Sequence, residues 1–327
     1  MSNKRKITFI SSVTTPERAY ENIPELKDFD VKFFQMHESS KRILAEAPDT
    51  EFIIADAMGR VDGELISSLK SLKLIQSEGV GYQGIDLECA RKCGVTVCNN
   101  KGINDTAVAE CCVFLILACL KNYENGVRAL YDGKQIEAKK TAFGVTRELS
   151  ECTVGLVGFG DIARCTARLL NAFGARVIYT NRTRKSELER EYNVEYVDLD
   201  TLIKSSDFVS LHLASSEETR NTVNASFLSK MKKSAYLINT ARGDLVDNEA
   251  LYNALKNGVI AGAGLDVISP EPVQADNILL SPDIKDRLAL TPHIAGITSL
   301  TVKKLYRQCF ENIIRVINNE EPINIVL

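Results

Sequence analysis

The stretch VGLVGFGDIARCTARLLNAFGARVIYTNR, residues 154–182, decides how the rest of the chain is read. An apolar run at 154–157 leads directly into a glycine-rich turn. The turn opens a helix-like segment, and a second apolar run follows at 177–179. This strand–turn–helix–strand order is the dinucleotide-binding fingerprint. Gly158 permits the tight turn, and Gly160 lets the backbone approach a pyrophosphate. The amides of the following helix, from Asp161 and Ile162 onward, then face the phosphates with the positive end of the helix dipole. Ala163 occupies the third small position, where helix and strand pack closely. A glycine triplet alone is weak evidence and fits an unliganded turn. The flanking strand and helix patterns are what make it specific.

Working outward, the first hundred residues alternate short apolar runs (7–10, 31–34, 52–55, 72–75, 95–98) with amphipathic stretches such as 61–69 and 86–92. That alternation implies a parallel, doubly wound sheet. Its first turn, SSVTTP at 11–16, carries no phosphate loop. A long apolar helix is expected at 106–121, followed by a polar, glycine-containing stretch at 122–150. Beyond the fingerprint, strands are expected at 208–211, 235–238, 260–265 and 289–290. An amphipathic helix at 299–318 and a short apolar tail at 323–327 end the chain. The fold class expected is α/β: two doubly wound parallel-sheet domains, a Rossmann nucleotide-binding domain inserted into a flavodoxin-like substrate domain. The expected boundaries are 1–102 with 297–327 for the outer domain and 103–296 for the inner.

Composition narrows the function. The chain has 327 residues, 45% of them hydrophobic, and a net charge of −3, so there is no basic footprint for nucleic acid. No apolar run approaches the ~18 residues needed to span a bilayer, and the N-terminus lacks a signal-peptide shape. A cytoplasmic enzyme is the expectation. Nine cysteines, an odd number, form no CxxC pair and lie near no histidine, so no metal site and no complete disulfide framework is expected.

Four further segments carry chemistry. GVGYQGID (79–86) exposes backbone amides after a strand and could hold a carboxylate; a plain turn fits it as well. INTARGDLVD (238–247) places Arg242 just past a strand, where a guanidinium can grip a carboxylate with two hydrogen bonds; pairing with Asp244 or Asp247 is the alternative. GAGLDVISPEP (262–272) brings Asp266 and Glu271 to a strand end. LTPHIAG (290–296) does the same for His293, one of three histidines, with a satisfied surface imidazole as the alternative. Read together, they fit reduction of a 2-keto acid. His293 would supply the proton, Glu271 would orient its ring, and Arg242 would bind the carboxylate and polarise the ketone.

These segments, with NDTAVAECCVFLILA at 104–118, resemble the D-isomer-specific 2-hydroxyacid dehydrogenase family, in the family's order and over nearly the whole chain. The resemblance implies an NAD(P)-dependent oxidoreductase and supports the roles of Arg242, Glu271 and His293. It implies that the amides of Val80 and Gly81 hold the substrate carboxylate and that Asp266 binds the nicotinamide carboxamide. It assigns further cofactor contacts to Val108, His212, Ala214, Thr219, Thr240 and Ala241. Thr183, His293 and Gly296 join the cofactor residues, and a homodimer through the nucleotide-binding domain is implied.

One departure matters. NAD-using relatives carry an acid at the end of the second strand, for the ribose hydroxyls. Here Asn181 and Arg182 stand there, followed by Thr183, Arg184 and Lys185. An acid would repel a 2′-phosphate and this cluster could bind one, so NADP(H) is favoured, with NAD(H) the alternative. Glu78, just before the carboxylate loop, has no evident role. Glyoxylate or hydroxypyruvate fits an NADPH preference; residues 11–15 and Tyr82 are candidates for the pocket wall. Phosphoglycerate dehydrogenase-like activity and a dinucleotide-sensing corepressor-like protein remain the other readings.

Overall fold

The computed structural model describes residues 4–144 and 146–327. The chain divides into two compact units, one from residues up to Asn104 plus Thr298–Leu327, the other Asp105–Ile297.

The first unit holds five strands: β1 (Lys6–Ile10), β2 (Asp30–Phe34), β3 (Phe52–Ala55), β4 (Leu74–Ser77) and β5 (Thr96–Cys98). They form one sheet in the order β2-β1-β3-β4-β5, with every pairing parallel. This is the flavodoxin-like order. β3 and β4 are buried at every position: β3 is a continuous apolar run, and β4 adds a buried Gln76 whose Nε2 donates to Ser77 O and Asn100 Oδ1. The helix Ser299–Ile317 returns to this sheet and buries Tyr306, Cys309, Phe310 and Ile313 against it. The apolar tail then runs antiparallel to β5, where the Val326 N–H donates to Val97 O and the Val97 N–H donates to Leu327 O. Each large apolar side chain buried this way contributes ~1.5–3 kcal/mol.

The second unit holds seven strands: β6 (Thr153–Val157), β7 (Arg176–Thr180), β8 (Glu195–Tyr196), β9 (Phe208–Leu211), β10 (Tyr236–Asn239), β11 (Gly262–Leu265) and β12 (Leu288–Leu290). Their order is β12-β11-β10-β9-β6-β7-β8, all parallel. Strand order reverses at β6, so the switch point where such sheets bind ligands lies at its C-terminal end. The helix Asp105–Leu120 buries nine residues and packs on the helix Asp161–Ala172. Cys112 and Cys119 are buried within it, as small apolar side chains.

The two parallel sheets expected from the alternation are present. The stretch 122–150, read only as polar and glycine-containing, contains the helices Tyr123–Tyr131 and Gln135–Ala142. Neither buries a single residue, although the first carries an apolar stripe, Tyr123, Val127, Leu130 and Tyr131, at helical spacing. No single helix among the described residues is long and apolar enough to cross a membrane.

Candidate active site

In the second unit, β6 runs into Gly158, whose φ of 99° lies in the left-handed region. A Cβ there would sit 2.5 Å from the His212 carbonyl, so only glycine fits. Gly160 is the N-cap of the helix Asp161–Ala172 and makes no side-chain cap bond. A Cβ at Gly160 would meet open space. An uncapped 12-residue helix start beside an open glycine notch fits a pyrophosphate, with amides and dipole both favourable. His212 follows β9; its Nε2 meets Ser210 Oγ at 2.9 Å, and burial of the ring pushes its pKa down to about 4. It is therefore neutral at pH 7. Ala214 and Thr219 fix the next loop, Thr219 Oγ1 donating to the Ala214 carbonyl at 2.8 Å. Val108 is buried in the helix Asp105–Leu120, Thr240 is buried after β10, and Gly296 follows Ala295 in the turn before the last helix.

The end of β7 differs from its sequence reading. Asn181 Oδ1 accepts from the Phe159 N–H at 3.4 Å, and its Nδ2 donates to the Thr183 carbonyl at 2.9 Å. Arg184 is not available to a phosphate: its Nε and Nη2 grip both oxygens of Glu189, at 2.7 and 2.8 Å. That bond also holds the Glu189 carboxyl below its ordinary value. Arg182 is exposed and has no side-chain partner among the described residues.

Three charged side chains gather at the ends of β10, β11 and β12. Arg242 follows β10, and its Nη1 donates to its neighbour's carbonyl, Ala241, at 2.6 Å. The two acids that could have claimed it are otherwise engaged. Asp244 accepts from Ser215 Oγ at 2.5 Å, and Asp247 caps the helix Asn248–Lys256. The Arg242 guanidinium keeps its remaining donors for another acceptor. His293 Nδ1 meets Glu271 Oε2 at 2.6 Å, with the His293 side chain 51% exposed. Hydrogen bonding to Glu271 raises the His293 pKa above 6.5, against opposing contributions from desolvation and the Arg242 charge. Nε2 has no partner among the described residues.

Asp266 explains how His293 is aimed. Its Oδ1 accepts from Thr291 Oγ1 at 2.6 Å and from the Ile294 N–H at 2.9 Å; its Oδ2 accepts from the Ala295 N–H at 3.0 Å. The backbone N–H of His293 donates to the Asp266 carbonyl at 2.8 Å. These bonds hold His293 at a φ of 55°, a strained conformation for a side-chain-bearing residue. One acceptor position on Oδ2 remains for a carboxamide N–H.

In the first unit, the loop after β4 turns all its carbonyls inward. Asn100 Nδ2 donates to Glu78 O at 2.9 Å and Asn99 Nδ2 to Val80 O at 2.8 Å. The Asn100 N–H donates to Gly79 O at 2.9 Å, and Ser77 Oγ to Gly81 O at 2.6 Å. The N–H groups of Val80 and Gly81 have no acceptor among the described residues. Asn99, Asn100 and Ser77 are missing from the sequence reading. Their only signal there is the polar pair directly after β5.

Residues 113–295 match the family described as D-isomer specific 2-hydroxyacid dehydrogenase, NAD binding domain. A glyoxylate reductase from Korarchaeum cryptofilum is 34% identical over 311 residues, covering 95% of this chain and 93% of that one. The chain belongs to the D-isomer specific 2-hydroxyacid dehydrogenase family. Two solved members have the same architecture throughout. The glyoxylate reductase from Paecilomyes thermophila superposes with a TM-score of 0.84 at 30% identity, covering 99% of this chain and 98% of the other. The NADPH-dependent glyoxylate/hydroxypyruvate reductase from Sinorhizobium meliloti, in complex with NADP and malonate, gives 0.82 at 28% identity, covering 99% and 97%. This D-2-hydroxyacid dehydrogenase is an NAD(P)-dependent oxidoreductase acting on a keto acid/hydroxy acid pair.

Proposed function

We propose that this dehydrogenase reduces glyoxylate and hydroxypyruvate with a preference for NADPH. The observation that carries the cofactor preference is the end of β7: Asn181 in place of an acid, and Arg182 exposed and unpaired beside it. No acid stands there to repel a 2′-phosphate, and a planar guanidinium suits it. The substrate class is supported by relatives named as glyoxylate and hydroxypyruvate reductases.

The bound nicotinamide supplies the hydride that adds to C2 of the keto acid. His293 gives its Nε2 proton to the ketone oxygen, which becomes the hydroxyl of the product. Glu271 fixes the imidazole through Nδ1 and favours its protonated form. Arg242 draws electron density from the ketone and binds the carboxylate. In the first unit, the free amides of Val80 and Gly81 are donors suited to a carboxylate. Asp266 holds the His293 turn and offers its remaining acceptor to the carboxamide.

The helices Tyr123–Tyr131 and Gln135–Ala142 support a homodimer. They leave Leu130, Tyr131, Ile136 and Phe143 exposed, Tyr131 at 90% and Phe143 at 89%. Apolar groups left this open call for a partner surface, and a second copy covers them in this reading. A Tyr131→Asp, Phe143→Asp double variant that sediments as the wild type does would rule that out.

The activity test is oxidation of NADPH and of NADH, followed at their common absorbance, across a panel of 2-keto acids. Expected are turnover of glyoxylate and hydroxypyruvate and a higher kcat/KM with NADPH. A clear NADH preference overturns the cofactor reading; larger aliphatic keto acids outrunning glyoxylate overturn the substrate reading.

A further inference from the structure

Glu78 stands one residue before the amide loop, yet its side chain turns inward and the residue is 5% exposed. Oε2 accepts from Ser11 Oγ at 2.9 Å, and Oε1 from Thr14 Oγ1 at 2.5 Å. Both hydroxyls are oriented. Ser11 Oγ already accepts from the N–H groups of Val13 and Thr14, at 3.3 and 3.1 Å. Thr14 Oγ1 accepts from Tyr306 OH at 2.9 Å. Each therefore points its own proton at the carboxyl.

No cation balances this group among the described residues. Asp56, at the end of β3, adds negative charge. Tyr306 and Cys309 face it from the helix Ser299–Ile317, and burial raises both above their ordinary values, so both are neutral near pH 7. Arg18, on the helix Pro16–Asn22, bonds the Val13 carbonyl at 3.1 Å instead of the carboxyl. The loop cannot swing away from Glu78, because Asn100 grips both Glu78 O and Gly79 O.

We propose that Glu78 is a positioning residue whose charge is linked to substrate: it takes up a proton when a keto-acid carboxylate docks on the Val80 and Gly81 amides. This rests on the reading of those amides as the carboxylate receptor. A second carboxylate docked on the loop that Glu78 anchors would, in a low-dielectric setting, oppose the ionisation of Glu78. Burial already pushes Glu78 up to about 7, so a second anion tips it toward the neutral form at neutral pH. The proton lands on the carboxyl and reverses the Thr14–Tyr306 hydroxyl chain.

KM for the keto acid should climb with pH above neutrality, while kcat follows His293. The test measures both for glyoxylate with saturating cofactor, in wild type and Glu78→Gln. A rise in KM of about fivefold from pH 6.5 to 8.5 is expected for wild type, and a flatter profile for Glu78→Gln. In parallel, oxamate, an unreactive 2-keto acid analogue, is titrated calorimetrically into the wild-type enzyme with cofactor, in two buffers of different protonation enthalpy. Proton uptake that falls in Glu78→Gln supports the proposal. Oxamate binding without uptake in wild type overturns it, as does uptake undiminished in Glu78→Gln, which assigns the proton to His293. Should Glu78→Gln not fold, Thr14→Val removes one donor to the anion. It should move the KM rise to higher pH by about half a unit, and an unmoved profile overturns the proposal. Should the enzyme turn over keto acids while oxamate and substrate affinity ignore changes at Asn99, which props the loop, the receptor reading itself fails.

Discussion

The strand ends of the two sheets offer donors of opposite kinds. After β10, β11 and β12 stand charged side chains: Arg242, Asp266, Glu271 and His293. After β4 stands a loop without a cationic side chain, whose donors are two backbone amides freed because every carbonyl around them is pinned. In the proposed reaction the first arrangement moves a proton and grips the substrate, whereas the second has no group to move a proton. The difference teaches where rate and affinity should separate: substitutions in the second unit act on kcat, those around the loop in the first unit on KM.

The strongest way to break that division is His293→Gln. Gln cannot deliver a proton near neutral pH, so kcat should fall by about 10²–10⁴, the usual worth of general acid catalysis. Cofactor affinity, read from nucleotide fluorescence, should be nearly unchanged. A modest loss in kcat would remove His293 from the chemistry.

Next comes Glu271→Gln, which sharpens the division by pH. The Glu271 hydrogen bond raises the His293 pKa, so reduction persists at higher pH than a free imidazole would allow and declines as pH rises through that raised value. Without the carboxylate the decline should begin at lower pH, with about tenfold less activity at pH 8 and a smaller loss at pH 6. The same sign governs stability. The pair's contribution is complete below the unfolded value near 6.5 and is lost as pH rises through the folded one. An unchanged profile would show that Glu271 only shapes the loop.

Asn99→Ala tests the other side. Val80 O would lose its donor, at a net cost of ~1 kcal/mol, or about fivefold. KM for the keto acid should rise by that factor while kcat with saturating substrate holds. A fall in kcat with KM constant would contradict the division.

How much of this was legible follows from the distances involved along the chain. The glycine turn and its helix are local, so residues 154–182 announce them. Arg242, Glu271 and His293 each follow a strand, and a parallel sheet brings such positions to one edge; their gathering in one unit could be read before any coordinates. The two helices after residue 122 are harder to read: Tyr123, Val127, Leu130 and Tyr131 have helical spacing, but Gly126 and Gly133 interrupt the stretch and its many charges mask the stripe. The inward turn of Glu78 depends on hydroxyls 64 and 67 residues upstream and, through Tyr306, on the last helix. The Arg184–Glu189 grip was within reach at five residues' separation, but a turn precedes the helix there and hides the pairing from helical spacing rules.

That grip also sets the smallest expected effect. With Arg184 held by Glu189, recognition of a 2′-phosphate falls to Arg182, an exposed side chain that water and salt screen. Arg182→Ala should lower kcat/KM with NADPH by about twofold to fourfold and leave NADH nearly untouched, the range expected of one screened charge-assisted bond at the surface. The loss should shrink as ionic strength rises, because wild type loses the same attraction to screening. An equal fall with both nucleotides would mean that Arg182 supports the turn after β7 rather than reading the phosphate. A fall with neither would return the preference to the missing acid alone, since Asn181 repels nothing and an amide accommodates either nucleotide.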